Sequence, residues 1–238
     1  MTAARYLAIV TARSGSKRLP NKNMLQFCGR PLFLWAVRAG LECPEVIETV
    51  VTTDSPHYQA LARQAGATCE WLRSPELSSD HASSADVVAD VLDRLSDGVD
   101  ALQGIVLLQP TSPLRTAADV SAAIQLHSRS GAPAVVSVCE AECPPAWVAQ
   151  VGPDLEMDDF IRPEARNLRS QDLGCWYRLN GAIYVVGIDA FRRGPGFMPP
   201  GTRAYIMPRE RSIDIDTAFD FELASMVMSM RPVSHQEA

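Results

Sequence analysis

Apolar residues in this chain come in short blocks separated by segments of helical spacing. Tyr6-Leu7-Ala8-Ile9-Val10, Ile47 to Thr53, Gly104-Ile105-Val106-Leu107-Leu108 and Ala134-Val135-Val136-Ser137-Val138 are nearly unbroken apolar or β-branched runs. Strands buried on both faces read this way. Between them, Pro31 opens a helix through Leu32-Phe33-Leu34-Trp35-Ala36-Val37 that closes before Gly40. Ser55-Pro56 starts a second helix, which Gly66 ends. Ser83 or Ser84 caps a third, whose Val87, Val88, Val91, Leu92 and Leu95 recur at helical intervals until Gly98. Thr116 and Asp119 form a capping-box pattern for a fourth, and Ala218 to Met230 reads as a closing amphipathic helix. Thr68 to Trp71 and Arg203 to Met207 add two short strands.

Strand and helix alternating at this spacing predict an α/β fold with right-handed crossovers and a mainly parallel sheet covered on both faces. Residues 139–178 break the rhythm with prolines 144, 145, 153 and 163 and no clean period, which predicts an inserted arm on a single domain spanning 1–238. Next, Asn180-Gly181 between two β runs carries the signal of a type I′ hairpin turn. The tail from Val233 is predicted to fray.

The 238 residues are 47% hydrophobic and 21% charged, a soluble globular balance with a net charge of −6. That charge argues against a nucleic-acid binder, and no apolar run approaches a membrane span. The N-terminal apolar run is too short for a signal peptide, so a cytoplasmic location is expected. Six scattered cysteines fit reduced thiols.

Against this acidic background, Ala12-Arg13-Ser14-Gly15-Ser16-Lys17-Arg18-Leu19-Pro20-Asn21-Lys22-Asn23 places four cations in one loop after the first strand. Cations and free amides at the carboxyl end of a strand suit an anionic ligand, and a polyphosphate accounts for them better than a charged surface turn does. The glycine fingerprints of dinucleotide oxidoreductases and P-loop ATPases are absent. In Ser212-Ile213-Asp214-Ile215-Asp216-Thr217 the alternation sends both isoleucines inward and both aspartates the other way. Paired carboxylates suit Mg²⁺, although Asp216 also fits the start of a helix capped by Thr217 and Asp220. Gln109, leaving the fourth strand before Pro110, offers a donor and an acceptor; the same stretch also reads as a proline-shaped loop. Ser84 reads equally as a helix cap.

Four ordered motifs then coincide: Ala12-Arg13-x-Gly15-Ser16-Lys17-x-Leu19-Pro20-x-Lys22-Asn23, Leu107 to Arg115, Asn180-Gly181-Ala182-Ile183-Tyr184 and Asp214-Ile215-Asp216-Thr217. Together they resemble the acylneuraminate cytidylyltransferases, the CMP-sialic acid synthetases. The resemblance implies a nucleotidyltransferase-type, Rossmann-like sheet. It also implies a reaction in which CTP and a nine-carbon 2-keto sugar acid give a CMP-sugar and pyrophosphate with Mg²⁺. It implies that Ala12, Arg13, Lys17, Lys22 and Asn23 meet the nucleotide and its phosphates, and that Arg73, Ala82 and Ser84 recognise cytidine. Asp214 and Asp216 would hold the metal, which acidifies the sugar's anomeric hydroxyl, while Arg13, Lys17 and Lys22 take up phosphate charge. Gln109, Arg178, Asn180 and Tyr184 would line the sugar-acid pocket. The arm would form a homodimer and lend Arg169, or else Arg166, to the partner's site. His81 is given no catalytic role. Where relatives place two adjacent aromatics near the sugar's acyl group, this chain has Phe197-Met198, which leaves N-acetylneuraminate, legionaminic acid and pseudaminic acid as candidates. The alternatives are a cytidylyltransferase for the eight-carbon 3-deoxy-manno-octulosonate and a non-catalytic nucleotide-sugar binder.

Overall fold

The computed structural model describes residues 5–95, 98–158, 160–194 and 196–231; the tail from Val233 lies outside them. In chain order the elements are β1 (Tyr6–Thr11), β2 (Gln26–Phe27), β3 (Arg30–Pro31), α1 (Leu32–Leu41), β4 (Val46–Thr52), α2 (Pro56–Gln64) and α3 (Ser84–Leu95). They continue with β5 (Gly104–Leu108), α4 (Ala117–Ser130), β6 (Ala134–Glu140), β7 (Tyr177–Gly187), α5 (Ile188–Arg193), β8 (Arg203–Ile206) and α6 (Ala218–Ser229). Six strands form one sheet in the order β4-β1-β5-β7-β6-β8. All pairings are parallel except those of β7, which runs against both β5 and β6.

Alternation within β1 builds both cores. Tyr6, Ala8 and Val10 face the side covered by α1, α2 and α4, where Phe33, Val37, Ala62 and Ile124 are buried. Leu7 and Ile9 face the side of α3 and α5, against Val88, Val91 and Phe191. A third cluster, Phe27, Leu32, Leu114, Ile215 and Ala224, seats α6 beside the rim of the sheet. The two capping boxes form as expected, Thr116 with Asp119 and Thr217 with Asp220.

Several expectations are corrected. Asn180-Gly181 is no hairpin turn, because β7 is one strand of 11 residues running straight through it. Pairing with β6 jumps from Val136↔Tyr184 to Val138↔Leu179, so the dipeptide lies in a bulge. Gly181 takes φ +72° there. The Ser137 hydroxyl fills the gap, donating to Asn180 Oδ1 at 2.6 Å and accepting from the Ile183 N–H at 2.8 Å. Gly40 does not end α1 but lies inside it, where a Cβ would come 2.7 Å from Thr49 Oγ1 on β4. It lets the helix press onto the sheet. The expected strand at Thr68 reduces to a single bridge with Val50. Residues 212–217 form no strand. The arm is bounded at 141–176, since β6 and β7 reach further into it, and it is mostly exposed coil with three short 3-10 turns. Two elements escape the hydrophobic pattern: α5, and a hairpin of β2 and β3 turned by Cys28 (φ 45°) and Gly29 (φ 88°).

Candidate active site

Parallel strands deliver their carboxyl ends to one edge, and the candidate residues leave from there. The loop after β1 carries Arg13, Lys17, Arg18 and Lys22; β5 ends at Leu108 and hands over to Gln109. Residues 213–216 are drawn to the same edge by Ile215, which is fully buried and donates its N–H to Thr111 O at 2.8 Å. The aspartates on either side of Ile215 are thereby fixed without strand pairing. A cleft of about 390 Å³ results, lined by Arg13, Lys17, Arg18, Lys22, Asn23, Asp80, Gln109, Thr111 and Asp216 among others. A second pocket of about 230 Å³ adjoins it and shares Thr11, Arg13 and Asp80. It gathers Arg73, Ala82 and Ser84, the three residues expected to act together on cytidine.

Two carboxylates offset part of the positive charge in the cleft. Lys22 Nζ donates to Asp216 at 2.9 Å and to Ile215 O at 2.6 Å, and Arg18 Nη1 reaches Asp216 at 2.5 Å. Arg13 and Lys17 both pair with Asp80, at 2.9 and 2.5 Å. Asp214 differs, for its Oδ1 is buried with no hydrogen-bond partner. Burial raises its carboxyl pKa above the ordinary value, with Thr111 and Lys22 pulling the other way and Asp216 adding to the rise. Gly181 lets Asp214 and Gln109 sit close to the bulge: a Cβ there would lie 3.0 Å from Gln109 Oε1 and 3.9 Å from Asp214 Oδ2. Arg73 is 6% exposed and keeps one buried Nη2 without a partner at the second pocket.

Residues 7–147 match the cytidylyltransferase family. This chain belongs to it.

The cytidylyltransferase is 33% identical to a CMP-N,N'-diacetyllegionaminic acid synthase of Legionella pneumophila, over 95% of this chain and 97% of that protein. It is 35% identical to an N-acylneuraminate cytidylyltransferase of Streptococcus agalactiae over 90% of this chain. It spans 51% of that longer relative. Its fold matches a solved CMP:2-keto-3-deoxy-manno-octonic acid synthetase complexed with CTP, with a TM-score of 0.69. That match has 20% identity and covers 95% of this chain and 99% of the other.

The remaining candidates are placed less uniformly. Ala12 is fully buried, and its N–H is already donated to Thr52 O at 3.0 Å, so it lies beneath the loop as core. Asn23 is buried and braces the loop by donating Nδ2 to Arg13 O at 2.9 Å. Asn180, expected to line the sugar pocket, is 2% exposed and spends its amide inside the fold, on Ser137, Ser212 and the Ala182 N–H. Arg178 pairs with Glu142 at 2.8 Å, which holds that carboxyl down to about 2. Tyr184 stacks at a tilt on Phe197, 5.6 Å between centroids, while Met198 next door is exposed. Arg169 is exposed on the arm, with Asp172 at 3.7 Å.

Two residues of the site go unread in the sequence. Asp54 accepts from the Ser14 N–H at 2.8 Å and from its hydroxyl at 2.7 Å, pinning the first loop from the end of β4. Burial raises its carboxyl pKa, yet the Ser14 bonds outweigh that and leave it below the ordinary value. The signal was its position just past a buried strand, the same one that marks Gln109. Asp80 offers no local signal, since its partners lie more than sixty residues earlier.

Proposed function

We propose that this protein transfers the CMP group of CTP to the anomeric hydroxyl of a nine-carbon 2-keto sugar acid, a nonulosonic acid, and releases pyrophosphate. The observation that carries this reading is one cleft in which Arg13, Lys17 and Lys22 face Asp216, with Asp214, whose buried Oδ1 lacks a partner, next but one in the chain. Relatives named for two different nonulosonates support the sugar class.

Arg13, Lys17 and Lys22 bind the triphosphate and stabilise charge on the departing pyrophosphate. The second pocket takes the base, where the free Nη2 of Arg73 is available to a carbonyl oxygen. Gln109 and Tyr184 orient the sugar so that its hydroxyl lies in line with the α-phosphorus. Asp214 and Asp216 would hold Mg²⁺: the donor set is oxygen only, and the buried Oδ1 of Asp214 lacks a partner that a cation would supply. Among the described residues no group of three or more His, Cys, Asp or Glu gathers, and these two carboxylates are the protein groups that would hold the ion. When bound, Mg²⁺ supplies Lewis-acid polarisation and charge neutralisation. The arm, 141–176, forms a homodimer that brings Arg169 to the partner's sugar pocket. No helix among the described residues is long and apolar enough to cross a membrane.

The test is direct. Incubation with CTP, Mg²⁺ and a panel of nonulosonic and octulosonic acids should release pyrophosphate and give a CMP conjugate of matching mass only with the nonulosonates. No conjugate with any of them overturns the reading. Sugar choice is tested separately at Met198, which is exposed and follows Phe197 of the Tyr184–Phe197 pair. Met198→Phe should shift relative kcat/KM among 5-acyl variants by about fivefold, since a rigid ring replaces an adaptable thioether. Unchanged ratios would remove Met198 from the acyl contact.

A further inference from the structure

Asp80 is a carboxylate seated where a triphosphate would be expected to bind. It is the residue that pairs with both Arg13 and Lys17, at 2.9 and 2.5 Å, and it lines both the main cleft and the second pocket. We propose that Asp80 is an internal counter-ion of the phosphate cleft, displaced when nucleotide binds and returning to Arg13 and Lys17 as pyrophosphate leaves. The inference rests on the triphosphate reading given above.

The chain around Asp80 is built for such an exchange. On one side, Ser78 folds back onto Ser74 O and accepts from Arg73 Nε at 3.2 Å. On the other, Ser83 caps α3 with Asp86, its hydroxyl donating at 2.7 Å. Asp80 lies between these two anchored turns, in the same short stretch as Ala82 and Ser84, with which it lines the second pocket. Its side chain is 40% exposed, and that of Lys17 is 78% exposed, so each ion pair is weak and cheap to break. A triphosphate offers several charges to the same two cations and wins the competition. Pyrophosphate carries less charge than the triphosphate and has lost the nucleoside that anchors it, so the carboxylate competes on closer terms once the reaction is over. Asp80 thus offsets part of the positive charge of the cleft and favours release of the inorganic product.

Calorimetric titration of wild type, Asp80→Asn and Asp80→Glu with inorganic pyrophosphate and with CTP tests this. Asp80→Asn should bind both about three- to tenfold more tightly, the range expected for removing two exposed competing pairs, and pyrophosphate should become a correspondingly stronger product inhibitor. Asp80→Glu, which keeps the charge, should stay within about twofold of wild type. Equal or weaker binding by Asp80→Asn overturns the proposal, as does a raised Mg²⁺ requirement, which would make Asp80 a metal ligand. The two readings fail differently. A wild type that binds pyrophosphate but makes no CMP conjugate sinks the proposed reaction alone; a wild type that makes conjugate with Asp80→Asn unchanged sinks only the counter-ion.

Discussion

Asp214→Asn is expected to lower kcat/KM for CTP by about a thousandfold while leaving the melting temperature unchanged or higher. The two effects diverge because of how the side chain is held. Its Oδ1 is buried without a partner, and burial already pushes the carboxyl pKa upward, so the ionised form is held under strain. A neutral amide of the same shape relieves that strain but cannot hold a divalent cation. Activity and thermal melting measured on one preparation decide the matter. A drop in both together would make Asp214 a framework residue and remove it from the chemistry.

The second large effect lies away from the cleft. Asp119→Ala should destabilise the fold by about 3–5 kcal/mol, lowering the melting temperature by about 10 °C. Asp119 is 2% exposed and accepts from Arg211 at 2.7 and 2.9 Å, from Thr116 in the helix cap and from Tyr205 at 3.1 Å. Removing it uncaps α4 and deprives Arg115 of nearby negative charge. Arg115 is 3% exposed, two of its nitrogens lack partners, and burial already brings its pKa down to about 10. Burial raises the Asp119 carboxyl, but the bonds from Arg211 and Thr116 outweigh it and the folded value lies below the ordinary one. Its contribution is therefore complete above the unfolded carboxylate value of about 4 and fades as pH drops through the lower folded value. Melting curves on either side of pH 4 should show wild type losing stability that Asp119→Asn never had. A variant that melts within a degree or two of wild type would show the network to be dispensable.

Much of this architecture is legible before any coordinates, because buried strands and capped helices leave local marks. The runs at Tyr6, Gly104 and Ala134 and the caps at Thr116 and Thr217 need no distant partner to be recognised. What fails to show is whatever depends on remote neighbours. Asn180-Gly181 has the local chemistry of a turn, yet β7 is bonded to β5 on one side and β6 on the other, and that ladder carries the chain straight through. Gly40 looks like a helix terminator because nothing local reveals Thr49 against its backbone. At the cleft the same division holds. Its cations share one loop and are plain in the sequence, whereas the carboxylates that neutralise them come from residues 80 and 216.

The place of β7 has a bearing on how the protein is made. The strand that joins the two halves of the sheet is the seventh of eight in chain order, and the arm separates it from β6. Until a ribosome has released about 187 residues, β5 and β6 each present an open, apolar border with no complement. Fragments stopped within the arm should therefore be sticky and chaperone-dependent, and the sheet should close late, in a single long-range step that brings the Asn180 bulge and the edge bearing the cleft together at once.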